Sequence, residues 1–324
     1  MLAARTLMEQ GIKVTGLSFK SYFFGTAKGK KVAAQLGIEH IEIDFSEEHL
    51  AMAKNPKYGY GKNMNPCIDC HAMMLKKAKE KIEKEKFDFV APGEVLGERP
   101  MSQNLQALKI VEKDSGLVGR LIRPLSAKLL DESALEKAGV VSRGKLFDIS
   151  GRSRKRQLEL VKKYGIKEYA SPGGGCLLTD PVFSEKLLKL LEFWPDCRGN
   201  DIELLKWGRV NWLKDENDKN VLLVIGRDAE DNENLEKLAQ SGDMMINLVD
   251  ENGPTSLTRS KKLEVKSKNE MQEIKVPDEL KMSELELGER KSQEEIINLA
   301  LSLTGYYAAK CRGKKIKLSV NIIN

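Results

Sequence analysis

The chain has 324 residues, 31% of them charged and 41% hydrophobic, with a formal net charge of +6. That length is a prior of about two domains, and the composition is that of a globular protein rather than a disordered one. No run approaches the roughly 20 apolar residues of a membrane span, and Met1 leads into a helix-like run with no small-residue cleavage site, so the expected location is cytoplasmic. A basic balance permits an anionic partner such as RNA without requiring one.

In chain order, Met1–Gly11 reads as a helix and Ile12–Phe19 as a short buried strand. Lys28–Leu36 is a second helix closed by Gly37, and Ile38–Phe45 a second strand. A helix is predicted over Ile68–Lys86 and a third strand over Phe87–Ala91, followed at once by Gly93. Helices alternating with short apolar strands predict a parallel α/β sheet, in which ligands bind beyond the carboxyl ends of the strands. Residues 116–150 read as mixed helix and loop. Gly151-Arg152-Ser153-Arg154-Lys155-Arg156 is a basic run opening a helix that reaches Tyr164, and a further helix covers Ser184–Phe193. Pro195–Asn200 marks a domain boundary, giving domains 1–197 and 198–324. In the second half, Val221–Gly226 reads as a strand and Asn232–Ala239 as a helix. Leu257–Leu287 reads as a charge-rich, partly mobile loop. Ser292-Gln293-Glu294-Glu295 is a capping box before a helix, and Lys315–Ile322 alternates as a half-buried strand.

The chemistry centres on cysteine. Asn65-Pro66-Cys67-Ile68-Asp69-Cys70-His71 places two thiols three residues apart, and Ser171-Pro172-Gly173-Gly174-Gly175-Cys176 adds a third behind a glycine run. Glycines let backbone approach a bulky group closely. In a reducing compartment such thiols read as metal, cluster or catalytic groups before disulfides. Three sites remain open on these residues: a cluster, a persulfide, and a zinc or purely structural cysteine set, for which no fourth ligand is placed. His71 adjoins Cys70 with its side chain expected to point elsewhere, and Cys197 and Cys311 are read as incidental.

At these residues the first half resembles the tRNA thiouridine synthetases of the PP-loop ATP pyrophosphatase superfamily. Asn65-Pro66-Cys67-Ile68-Asp69-Cys70 resembles the Asn-Pro-Cys-x-x-Cys turn of the 2-thiouridylases. Gly93-Glu94-Val95-Leu96-Gly97-Glu98-Arg99-Pro100-Met101-Ser102-Gln103, with Arg123-Pro124-Leu125, is similar to a segment of the 4-thiouridine synthetases. The second half resembles an NFACT-type RNA-binding domain at Gly226–Leu235 and the Tyr306-Tyr307 helix. The resemblance implies a PP-loop-type α/β domain followed by a smaller α+β RNA-binding domain.

It also implies a reaction. ATP, with Mg, adenylates a uridine carbonyl oxygen of tRNA, and sulfur then displaces AMP; 4-thiouridine is favoured over 2-thiouridine. The sulfur passes through cysteine persulfides in some members. In others, three cysteines hold a [4Fe-4S] cluster with one open iron. Carried onto this sequence, Cys67, Cys70 and Cys176 are the metal ligands, with Cys70 and Cys176 catalytic. Gly16, Leu17, Ser18, Phe19, Gly93, Glu94, Arg99 and Gln103 contact the nucleotide. Arg152, Arg154, Lys155, Arg156, Arg227 and Asn232 contact RNA. The partners are tRNA, a sulfur donor (a cysteine desulfurase or inorganic sulfide) and a second copy in a homodimer, with no membrane. One departure is large. The superfamily's first strand and its Ser-Gly-Gly-x-Asp-Ser phosphate loop have no counterpart, and Met1–Arg5 aligns with the helix after that loop. The chain by itself is then expected not to adenylate tRNA, and to leave an open sheet edge near residues 12–19. The alternatives are an RNA-binding protein without catalysis and a PP-loop enzyme acting on a small molecule.

Overall fold

Two short strands and the helices around them set the frame of the first unit, Met1–Ser184, in a computed structural model that describes residues 1–169, 175–260, 270–279 and 289–323. Helix α1 (Leu2–Met8) leads to β1 (Gly16–Lys20), and α2 (Ala27–Leu36) crosses over to β2 (His40–Asp44), which pairs parallel to β1 from Gly16↔His40 to Lys20↔Asp44. Gly37 ends α2 at φ 65°, the left-handed geometry that favours glycine. The opposite edge of β1 carries no ladder partner among the described residues. Helices α3 (Ser46–Lys54), α4 (Cys67–Glu85) and α5 (Leu105–Ser115) follow. Leu75 and Ile82 of α4 pack with Val111, Leu117 and Leu121 in one core cluster, while Leu7, Ile122, Val141 and Leu146 form another.

The strand expected at Phe87–Ala91 is reduced to one parallel bridge, Val90 to Leu121, made by Val90 N–H to Arg120 O and Ile122 N–H to Val90 O. The reason lies in Arg120. Its guanidinium donates to Phe87 O (2.7 Å) and Asp88 O (3.0 Å), so those carbonyls bond a side chain instead of a neighbouring strand. A second parallel bridge, Leu96 to Ser150, ties the Gly93–Gln103 segment to the start of the basic run. The mixed stretch 116–150 resolves into α6 (Ala134–Lys137), started by a Ser133–Glu136 capping box, and single 3-10 turns. The basic helix is α7 (Lys155–Lys163), and α8 covers Pro181–Phe193.

The second unit is Glu185–Asn324. Pro195–Asn200 lies inside it, because Phe193 and Trp194 both pack edge-on against Trp212 at 5.0 and 5.1 Å. After α9 (Gly199–Leu204) come β3 (Arg209–Asp215), β4 (Asn220–Ile225), α10 (Ala229–Leu238), β5 (Met244–Leu248), β6 (Ser256–Ser260), β7 (Glu270–Lys275), β8 (Arg290–Lys291), α11 (Gln293–Tyr307) and β9 (Lys315–Ile322). Seven strands form one mixed sheet in the order β7-β9-β5-β6-β4-β3-β8, antiparallel except for β3 with β8. The stretch expected to be a loop over Leu257–Leu287 therefore contains most of β6 and all of β7; residues 276–279 are irregular, and 261–269 and 280–287 lie outside the described residues. Charged side chains at Glu270, Glu273 and Lys275 hid β7, which pairs with β9. Helix α11 is started by Ser292 and Glu295 in a capping box and lays Ile296, Ala300, Leu301 and Leu303 onto the sheet core. Among the described residues no helix is long and apolar enough to cross a membrane.

Candidate thiol site

Cys67 and Cys70 open α4 one turn apart, so their side chains share a face of its first turn. Asp69, between them, accepts the Lys57 and Tyr58 amides at 2.9 and 3.0 Å, which pins the preceding loop to the helix. Cys176 starts a 3-10 turn, Leu177–Thr179, more than a hundred residues away. Two tethers bring it in. Leu177 N–H donates to Phe23 O (3.0 Å) in the loop after β1, and Asn63 Nδ2 donates to Thr179 O (2.8 Å) from the approach to Cys67. Asn63 adopts φ 57°, a left-handed conformation that asparagine tolerates better than most residues. The site thus stands at the carboxyl end of β1, where parallel strands leave room for ligands. Gly175, at φ 105°, precedes Cys176; a Cβ there would stand 3.5 Å from Lys28 Nζ, so an ammonium lies beside the turn.

The three thiols interact electrostatically. Burial pushes Cys70 well above its ordinary value, and Cys176 and Cys67 add to the rise. Cys176 is pushed up to about 11, by burial first and then by Cys67, with Arg99 opposing. Cys67 is raised by burial against an Asn65 hydrogen bond and the Arg99 charge. All three therefore hold their protons at neutral pH, and binding a metal or cluster would have to release them. Among the described residues no three histidine, cysteine, aspartate or glutamate side chains already form a metal-holding set.

The Gly93–Gln103 segment borders this site. Gly97 N–H bonds Gln103 O (2.7 Å) and Gln103 N–H bonds Arg99 O (2.9 Å), a turn that carries Arg99 towards the thiols. Ser102 Oγ is buried against the Cys67 thiol, whose rise it opposes, and Gln103 Oε1 is buried without a hydrogen-bond partner. Such an orphan atom costs about 1–3 kcal/mol unless a bound group or water meets it. Glu94 is turned inward, 5% exposed. Its carboxylate accepts from Arg123 Nε (2.8 Å) and pairs with His71 Nδ1 (2.8 Å), and Arg123 also reaches Glu112 (2.9 Å) and Leu108 O (3.0 Å). Burial alone would raise the Glu94 carboxyl, yet His71 and Arg123 together hold it below the ordinary value. The His71 side chain is expected to point away from the neighbouring thiol, and its partner is Glu94.

The other expected residues are placed as follows. Gly16–Phe19 form most of β1, with the Ser18 hydroxyl 2.9 Å from His40 Nε2. Arg152 and Lys155 are exposed, Arg156 pairs with Asp148 at 2.5 Å, and the Arg154 charge acts on Glu98, so the basic run adjoins the Arg99 turn. Arg227 is held by Asp231 through its Nε (2.6 Å) and Nη2 (2.9 Å), and Asn232 bonds Thr255 N and Gly253 O. Arg227, half exposed, thus clasps the first turns of α10, and Asn232 ties that helix to the loop before β6. Elsewhere in the second unit, Arg209 and Arg312 lie over the rings of Tyr307 and Tyr306 at 4.3 and 4.2 Å, and those rings meet edge-on at 5.7 Å. Of the glycine run before Cys176, residues 171–174 lie outside the described residues.

Comparison with known protein families, curated proteins and solved structures finds no match to this chain. The donor set itself has a chemical preference. Thiolates suit zinc, copper(I) and iron–sulfur clusters alike, and the orphan Gln103 oxygen leaves polar capacity beside the three thiols.

Proposed function

We propose that this chain takes part in ATP-dependent thiolation of a tRNA uridine, with 4-thiouridine the favoured product. The observation that carries the reading is the pair of tethers, Leu177 N–H to Phe23 O and Asn63 Nδ2 to Thr179 O, that hold the Cys176 turn to the approach to Cys67, near enough for the three thiols to interact electrostatically. Cys67, Cys70 and Cys176 would hold a [4Fe-4S] cluster, which when bound supplies an open iron to carry sulfur. The chain's own residues supply the surroundings. Arg99 and Lys28 place positive charge where thiolates must form and where an anionic phosphate would sit. The Glu94–Arg123 pair keeps the Gly93–Gln103 turn fixed against α4 and α5. Arg152 and Lys155 offer cations to the tRNA backbone next to that turn, and phosphate contacts supply most nucleic-acid affinity. ATP with Mg, a sulfur donor and a homodimeric partner belong to the same proposal, as does the PP-loop ancestry of the first unit.

The test is made in cells. Nucleosides from the tRNA of a strain lacking the gene are analysed by mass spectrometry. Loss of one thiouridine, restored by the wild-type gene, is expected. An unchanged set of thiouridines would overturn the proposal and favour a binding protein or an enzyme acting on a small molecule.

A further inference from the structure

The Cys176 turn hangs on the Phe23 carbonyl, and the turn that presents that carbonyl is held by a buried polar pair no part of the proposed chemistry uses. Ser21 Oγ lies 2.6 Å from His49 Nδ1, with Ser21 6% and His49 0% exposed. The same Ser21 oxygen accepts Phe23 N–H at 3.3 Å, and Ser21 and Phe24 exchange backbone hydrogen bonds at 3.0 and 3.3 Å, closing a tight turn over 21–24. Phe23 leaves this turn in two directions. Its carbonyl accepts Leu177 N–H, the residue after Cys176, and its ring packs against Phe183 on α8 at 6.1 Å. His49 is fixed in turn by three phenyl rings: Phe45 stacked at 4.9 Å, with Phe23 and Phe24 edge-on at 5.4 Å.

An aromatic cage of this kind would be filled more cheaply by another phenyl ring. The imidazole carries a penalty, since its Nε2 is buried with no partner. A costly polar group in an apolar site needs a compensating interaction, and the Ser21 bond is the one present.

We propose that Ser21 and His49 are positioning residues. They fix the 21–24 turn so that the Phe23 carbonyl docks the Cys176 turn, and they thereby set the approach of Cys176 to Cys67 and Cys70. This rests on the reading of the three cysteines as one site, but not on tRNA or ATP.

The experiment reads thiol proximity directly. The reduced full chain is treated with diamide, and disulfides containing Cys176 are quantified over time by peptide mass spectrometry. The wild type is expected to bridge Cys176 to Cys67 or Cys70. His49→Phe fills the cage but removes the ring nitrogen, and Ser21→Ala removes the hydroxyl. In both, the rate of Cys176 bridging should fall about tenfold or more, as small misplacements cost reacting groups dearly. His49→Asn keeps a polar nitrogen near the Nδ1 position and should recover most of the rate. Alkylation of Cys67, far from the turn in sequence, should stay at the wild-type rate. Should His49→Phe fail to fold, Ser21→Ala decides, since it deletes one atom. A folded variant that bridges Cys176 at the wild-type rate overturns the inference, as does a wild type that forms no Cys176 bridge. Bridging that falls as expected in both variants, while a strain lacking the gene keeps every tRNA thiouridine, would instead count against the proposed function alone.

Discussion

At the scale of single residues, buried polar groups carry the sharpest expectations. Arg123 and Glu94 are both about 5% exposed, and truncating one leaves the other's charge buried. Glu94→Ala should therefore destabilise the first unit by about 3–5 kcal/mol, measured by urea unfolding. Because the Glu94 carboxyl sits below its unfolded value, its contribution is present above that value and is lost as the pH falls through the folded one. His49 acts with the opposite charge and the same outcome. Its pKa falls from 6.5 to about 4, so the unfolded chain takes up a proton first. Stability should be fully present above pH 6.5 and decline between 6.5 and 4, by something on the order of 3 kcal/mol. His49→Phe should flatten that window, and an unchanged pH profile would show that another group titrates there. None of this was legible in the sequence. Glu94 reads as a nucleotide contact through the resemblance of the Gly93–Gln103 segment, and only the fold shows its carboxylate bonded to Arg123 and His71. Nothing in the sequence announces Glu94 as the partner of His71.

At the scale of elements, amphipathic periodicity carried the long helices and the alternating strand β9, while pairing partners stayed hidden. The sequence over Phe87–Ala91 is apolar enough for a strand, yet Arg120 takes two of its carbonyls and one bridge remains. Strand β7 was missed because Glu270, Glu273 and Lys275 are charged, and a strand needs only one covered face. The start of α7 shows how local pairing reshapes a charge run. Arg156 is engaged by Asp148, whereas Arg152 and Lys155 are exposed. In the proposed tRNA interaction, Arg152→Ala with Lys155→Ala should lower the slope of log affinity against log salt by about 2, since each duplex phosphate contact contributes about 0.9. Arg227→Ala, which loses a partner inside α10 rather than a phosphate, should leave the slope alone and weaken folding instead. A slope that responds to Arg227 and not to Arg152 would move the RNA footprint to the second unit.

At the scale of the molecule, the two-unit organisation was readable from the change of pattern along the chain, although Trp194 and Trp212 draw Pro195–Asn200 into the second unit. Of the proposed thiol site, only the cysteine spacing is legible in the sequence. What closes the distance to Cys176 is a pair of backbone acceptors, Phe23 O and Thr179 O, which no residue pattern encodes. The central claim is that Cys67, Cys70 and Cys176 act as one unit in tRNA thiolation while Cys197 and Cys311, both buried in the second unit, do not. The most direct measurement returns five single variants, each cysteine in turn replaced by alanine, to a strain lacking the gene and quantifies tRNA thiouridine. The account predicts complete loss with Cys67→Ala, Cys70→Ala and Cys176→Ala alike, and wild-type levels with Cys197→Ala and Cys311→Ala. Retention of thiouridine by a stably folded Cys176→Ala protein would contradict it.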